Sequence, residues 1–186
     1  MITFKEVEEK DLSILASLYS VIYLNIKMGE SWNYDTALSY MNYFYHYQPD
    51  LFICAYDDDI PIAAVMSTLK PYYDGLHLTE TELFVSEDYR CQNIGKKLLE
   101  MHFELAIAKY DASRIDAITY INNPDSPLDW YKKIGLRLAN NLVILHGNLE
   151  NCLKKIRECM LVNDVKQIHI SIQIIFLNLF LFLCYH

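Results

Sequence analysis

The sequence has few of the residues that punctuate a chain. Its 186 residues include only five glycines and five prolines. That excludes collagen-like repeats and chains dominated by flexible linkers. Positive charge is also in deficit, with 16 Lys and Arg against 24 Asp and Glu, a net of −8. A general nucleic-acid binder needs the opposite excess to meet phosphates, so no nucleic-acid partner is expected. The five cysteines are odd in number and include no C-x-x-C pair, so neither a disulfide framework nor a zinc ribbon is indicated. The six histidines are scattered without metal-ligand spacing, and no metal is expected. The N-terminus MITFKEVEEK lacks an apolar signal core, which makes a cytoplasmic location the expectation.

What is abundant is apolar surface and tyrosine, at 53% hydrophobic residues and 15 Tyr. Such a chain is not disordered. Its charge is unevenly spread. Residues 1–95 carry a net of −10, and residues 96–186 a net of +2. After Lys166 there is no charged side chain. The stretch from Ile168 to Tyr185 is interrupted by His169, Ser171, Gln173 and Asn178. Its uninterrupted part is shorter than the ~20 residues that span a bilayer as a helix. Four readings of this tail stay open: a last sheet strand, a buried homodimer interface, a weak membrane anchor, or a non-native C-terminus. Sheet and interface rank first and the anchor last.

Hydrophobic periodicity orders the rest. Ile2–Val7 alternates as a strand. Asp11 is placed to cap a helix through Leu15, Leu18, Ile22 and Ile26, with Gly29 as its stop. Asp35 opens a second helix, which ends at Gln48-Pro49-Asp50. Its tyrosines, Tyr40, Tyr43, Tyr45 and Tyr47, read first as an amphipathic face packed on a sheet and second as the wall of an acceptor pocket. Leu51–Tyr56 and Ile60–Leu69 form a hairpin across three aspartates, with Pro61 at a strand start or edge. Leu78–Val85 is a strand, Ile94–Ala108 a helix, Arg114–Ile121 a strand and Asp125–Ile134 a short helix. Leu142–Leu145 is strand-like and Asn148–Cys159 helical. Cys54 and Cys152 are expected to be small buried groups. The order implies an α/β fold, a mixed and mostly antiparallel sheet with helices on both faces. The expected domains are 1–147, a C-terminal helix at 148–166 and the tail at 167–186.

The chemistry concentrates in FVSEDYRCQNIGKKLL, residues 84–99. A strand ends near Val85 and a helix begins near Ile94, with a polar loop between. The first N–H groups of a helix lack intrahelical acceptors and lie at the positive end of its dipole. A loop that presents them to solvent suits a pyrophosphate. Gly95 lets the ligand approach the backbone, and Lys96 and Lys97 add positive charge. Glu80 and Glu82 lie two apart on a strand, and alternation puts both on one face.

These residues resemble the GNAT superfamily of N-acetyltransferases, whose acetyl-CoA loop reads Gln/Arg-x-x-Gly-x-Gly/Ala. Arg90 matches the first position and Gly95 the last. Asn93 stands where the family has Gly, and Asn enters left-handed backbone space more readily than most residues. Cys91 replaces another frequent Gly. Downstream, Asn123 followed by Trp130-Tyr131-Lys132-Lys133-Ile134-Gly135-Leu136 resembles the family's Asn…Tyr-x-x-x-Gly-Phe segment.

The resemblance implies acetyl-CoA as cosubstrate, lying where strands Leu78–Val85 and Arg114–Ile121 splay apart. Cys91, Gln92, Asn93, Ile94, Gly95 and Lys96 would hold its pyrophosphate, with Arg90 and Asn123 alongside. The backbone of Phe84 and Val85 would bond the pantetheine arm and the thioester oxygen. An amine, on a small molecule or a peptide, would attack the acetyl carbonyl directly. Glu82, or else Glu80, would take its proton, and Tyr131 would protonate the leaving thiolate. The acidic half suggests a cationic acceptor. The alternative is a catalytically weak or inactive module that binds acyl-CoA.

Overall fold

The computed structural model describes residues 1–26, 30–121, 126–139, 142, 144 and 147–157. Contacts divide the chain into two compact units, Met1–Arg137 and Leu138–His186. Gly29, Asn123 and the tail 167–186 lie outside the described residues.

In the first unit the order is β1 (Ile2–Glu6), α1 (Leu12–Asn25), α2 (Tyr34–Tyr47), β2 (Phe52–Asp57), β3 (Ile60–Tyr72), β4 (Gly75–Val85), α3 (Ile94–Tyr110), β5 (Ala112–Ile115) and α4 (Leu128–Lys133). The five strands form one sheet in sequence order. The first three pairings are antiparallel and β4 with β5 is parallel. This is the mixed α/β sheet expected from the pattern.

Alternation along β2, β3 and β4 feeds two cores. Phe52, Cys54, Tyr56, Ala64, Met66 and Phe84 pack with α1 and α2. Ile53, Ala55, Ala63 and Val65 pack on the other face with Leu98 and Leu99 of α3. Both faces of these strands are therefore covered, which is why they read as continuous apolar runs.

With so few glycines, other residues take the left-handed turns. Asp58 (φ 45°) and Asp59 (φ 69°) make the two-residue loop between β2 and β3, as a hairpin with right-twisted strands requires. Asp111 (φ 53°) ends α3, and its N–H bonds the carbonyls of Ala106 and Ile107. Gly135 (φ +105°) follows α4, a turn that favours glycine.

Several boundaries differ from the sequence reading. Asp11 precedes α1 but does not cap it. Its carboxylate instead accepts the Glu8 N–H at 3.2 Å and the buried Tyr56 hydroxyl at 2.6 Å. Asn33, not Asp35, caps α2, through Thr36 N–H at 2.9 Å. The strand expected over Arg114–Ile121 is shorter and begins earlier. Asp116 leaves the ladder after its N–H bonds Leu78 O at 2.8 Å, and its carboxylate turns to His77 Nδ1 at 2.7 Å. Of the strand expected over Leu142–Leu145, only Leu142 and Ile144 are among the described residues, and neither lies in a strand.

In the second unit, residues 149–157 are helical. Cys152 on that helix is exposed rather than buried, whereas Cys54 is buried as expected.

Candidate active site

β4 carries the candidate site, and an irregularity in it sets the geometry. Met66 pairs with Glu82 and Thr68 with Thr79. Ser67 therefore faces two residues, Glu80 and Thr81, and β4 has a bulge. Glu80 adopts φ 53°, a left-handed value uncommon for a non-glycine residue. Simple alternation thus fails here: Thr79 and Glu82 pair with the same-face residues Thr68 and Met66. Both glutamates still reach α2. Glu80 Oε2 accepts from Tyr43 at 3.2 Å and Thr68 at 3.3 Å. Glu82 accepts from Tyr23 at 3.1 Å and Tyr40 at 3.4 Å.

Glu82 lies in an aromatic shell. Tyr19 meets Tyr23 at 4.4 Å between ring centroids, and Trp32 meets Tyr40 at 4.9 Å. Burial raises the Glu82 carboxyl to about 7, against the tyrosine hydroxyl bonds that pull it down. A carboxyl poised near neutrality suits a general base. Sequence reasoning misses Tyr19 and Tyr23. It marks Tyr40 only as one of a cluster, and helical spacing gives no sign that it turns to Glu82.

Beyond Leu78 the β5-facing edge of β4 has no strand partner among the described residues. β5 ends at Ile115, so among the described residues no strand runs beside that edge of β4 from there on. Ser86 N–H bonds Ile62 O at 2.8 Å. Because antiparallel bonding alternates, Phe84 also turns its N–H and C=O to β3. Leu83 and Val85 turn theirs to the open edge. The expectation for Phe84 is thus corrected: its backbone faces β3, and its ring packs on Tyr19 at 5.1 Å. The Val85 carbonyl already accepts Arg90 Nε at 3.3 Å, so Arg90 folds back onto the strand end.

Arg90, Cys91, Gln92 and Asn93 lead into α3. Cys91 (φ 61°) and Asn93 (φ 63°) are both left-handed, as their replacement of glycine requires. Asn93 is the N-cap residue, but its side chain caps nothing. The first helical bond runs from Lys97 N–H to Asn93 O at 3.0 Å. The N–H groups of Ile94, Gly95 and Lys96 thus precede it, the arrangement that receives anions. Gln92 Nε2 ties the loop to Asp88 O at 2.9 Å. A Cβ on Gly95 would meet only Leu83 and Val85 side chains, at 3.5 and 3.6 Å. Internal packing does not demand glycine there.

Tyr131, on α4, lines a small cavity of about 10 Å³ with Thr81, Leu99, Phe103 and Ile115. That is room for about one water. The cavity lies where β5 ends beside β4, with Ala117 also in its wall. Burial, helped by the Glu82 charge, raises the Tyr131 hydroxyl to about 12. Such a phenol stays protonated near neutrality and can give a proton. Among the described residues, no group of three or more His, Cys, Asp or Glu could hold a metal. No helix among them is long and apolar enough to cross a membrane.

A family model described as the acetyltransferase (GNAT) family matches residues 18–136. No curated protein sequence matches. Among solved structures, a transcriptional regulator from Bacillus halodurans C-125 is 21% identical with a TM-score of 0.63, over 79% of this chain and 100% of that one. A predicted acetyltransferase from Clostridium acetobutylicum, solved with acetyl-CoA, is 18% identical with a TM-score of 0.62, over 78% and 96%. An aminoglycoside N-acetyltransferase solved with CoA is 13% identical with a TM-score of 0.60, over 80% and 95%. At these identities the likeness is one of fold.

Proposed function

Because the chain belongs to the acetyltransferase (GNAT) family, whose model covers residues 18–136, we propose that it transfers acetyl from acetyl-CoA to a primary amine by direct attack. The observation that carries this reading is the juxtaposition on β4. A carboxyl held near neutrality lies on the same strand as an open backbone edge, and that strand leads into an uncapped helix N-terminus. The acetyl-CoA complexes of structural neighbours support the choice of cosubstrate.

Each group then has one task. The N–H groups of Cys91 to Lys96 receive the pyrophosphate, and the open-edge N–H groups of Leu83 and Val85 bond the pantetheine arm and the thioester oxygen. A fixed N–H donor helps most as that oxygen gains charge. Ionised Glu82 takes a proton from the acceptor ammonium or from the attacking nitrogen. Glu80, more exposed, helps to attract the cation. The new C–N bond forms, the C–S bond breaks, and the electron pair leaves on sulfur. Tyr131 gives its proton to that sulfur and regains one from solvent. The net −10 of residues 1–95 favours a cationic acceptor, on a small molecule or a peptide. The aminoglycoside N-acetyltransferase among the structural neighbours, also solved with a bisubstrate analogue, is consistent with this class. We assign the catalytic domain to residues 1–147, followed by the helix at 148–166 and the tail at 167–186, with a cytoplasmic location.

The test is an acetyl-CoA titration of the purified chain, followed by free-thiol release with a panel of amines. Binding with release is expected. Binding without release for any amine favours a non-catalytic acyl-CoA module, a reading that the non-glycine residue Asn93 keeps in view. Absence of binding sinks both. Within an active enzyme, Tyr131→Phe should lower kcat about tenfold or more with little change in the KM for acetyl-CoA. Full activity in that variant would remove Tyr131 as the acid.

A further inference from the structure

One buried polar chain has no part in the mechanism above. His102, on α3, is fully buried. Its Nε2 lies 2.8 Å from Ser67 Oγ on β3, while its Nδ1 has no hydrogen-bond partner among the described residues. Ser67 Oγ donates to Thr81 Oγ1 at 2.8 Å. Among the described residues, Thr81 and Tyr131 are the only hydroxyl-bearing members of the wall of the cavity at the end of β5; the rest of that wall is apolar.

The polarity of this chain follows from counting hydrogens. Burial lowers the His102 ionisation to about 4, so the ring is neutral near pH 7 and does not carry protons. A neutral imidazole has one N–H. Placed on Nδ1, it would be a buried donor without an acceptor, an arrangement rare in folded proteins. Placed on Nε2, it donates to Ser67. The single Ser67 hydrogen then goes to Thr81, and the Thr81 hydrogen is left to point elsewhere. The cavity lined by Tyr131 is where that side chain opens.

We propose that Thr81 is a further catalytic residue, whose hydroxyl hydrogen points into the β4–β5 cleft and bonds the sulfur of acetyl-CoA, and that Ser67 and His102 are the positioning residues that fix its direction. The inference rests on the acetyl-transfer reading. As the C–S bond breaks, the electron pair goes to sulfur and the Tyr131 proton follows. Thr81 keeps its own proton and stabilises the sulfur before that transfer. A donor already oriented needs no reorganisation when the charge appears. Thr81 and Glu82 are neighbours on β4 and point to opposite faces of the sheet, so one strand serves both ends of the reaction.

Two measurements test it. A long-range 15N–1H spectrum of the folded protein should find the His102 proton on Nε2. A proton on Nδ1 would reverse the chain and overturn the proposal whatever the activity. In kinetics, Thr81→Val should lower kcat roughly tenfold, the loss expected for one hydrogen bond. The KM for acetyl-CoA and the melting temperature should hold, and Thr81→Ser should restore the rate. An unchanged kcat in Thr81→Val overturns the proposal, and so does a loss confined to KM or melting temperature. If the wild-type chain binds no acetyl-CoA, the acetyl-transfer reading fails and this role with it. The tautomer reports on the relay alone, so the two failures are told apart.

Discussion

Glu82 couples rate to stability through one proton. Burial raises its folded pKa to about 7, above the unfolded value near 4.3. A carboxyl raised in this way stabilises the fold fully below the unfolded value and loses that contribution as pH rises through about 7. The proposed base needs the ionised form, so kcat/KM should rise with pH through about 7, in the range where the fold is giving up stability. Glu82→Gln keeps the shape and cannot ionise. It should abolish most turnover and melt higher than wild type at pH 8, with the gap closing towards pH 4. The gap corresponds to about 4 kcal/mol at the upper end. Equal melting temperatures at pH 8 would mean that Glu82 is not buried as described.

Among the elements, β4 is held at one end and free at the other. Near its start, His77 is bridged by Asp116 at 2.7 Å and Asp74 at 2.9 Å, and stacks on Tyr72 at 4.3 Å. The bond to Asp116 raises the His77 pKa most, with Asp74 adding to it. That stabilisation is complete below the unfolded value near 6.5 and lost as pH rises through the higher folded value. His77→Ala should therefore cost more melting temperature at pH 6 than at pH 9; an equal cost at both would show that only packing is lost. Sequence periodicity reads the strands and helices well where one face is apolar. It cannot read the bulge, because Thr79, Glu80 and Thr81 are an ordinary polar run in the text. Alternation places Glu80 and Glu82 on one face, and both do reach α2, but it misses the extra residue between their partners and gives Phe84 a backbone role that the ladder denies. The loop proposed to hold CoA is legible because its left-handed residues, Cys91 and Asn93, fall on motif positions. The tyrosine shell of Glu82 is not, since Tyr23 on α1 is 59 residues from Glu82 in sequence and pairs with it only through folding.

At the scale of the whole molecule, the two sheet faces respond to acid in opposite ways. On the α1–α2 face, protonating Glu82 favours the fold. On the α3 face, His102 must stay neutral; its folded pKa is about 4, so its contribution is present above about 6.5 and lost as pH falls. Between about pH 4.5 and 6.5 the two slopes oppose each other, and wild-type stability should be nearly flat there. Glu82→Gln removes one slope, so its melting temperature should fall with acid across that interval. A flat profile in the variant would contradict the buried neutral imidazole. The acidic half also predicts that cationic amines lose more rate with added salt than neutral ones, and equal salt dependence would remove the steering argument. The bulge has one more consequence, for the length of the chain. Ser67 faces two residues where a regular ladder has one, so excising Glu80 would leave every other pairing in β3 and β4 in place. The shortened protein should fold, and its straightened β4 should pair with the residues that follow Ile115 and shut the groove. Glu80 is thus a spare link for the scaffold and a spacer for whatever enters it.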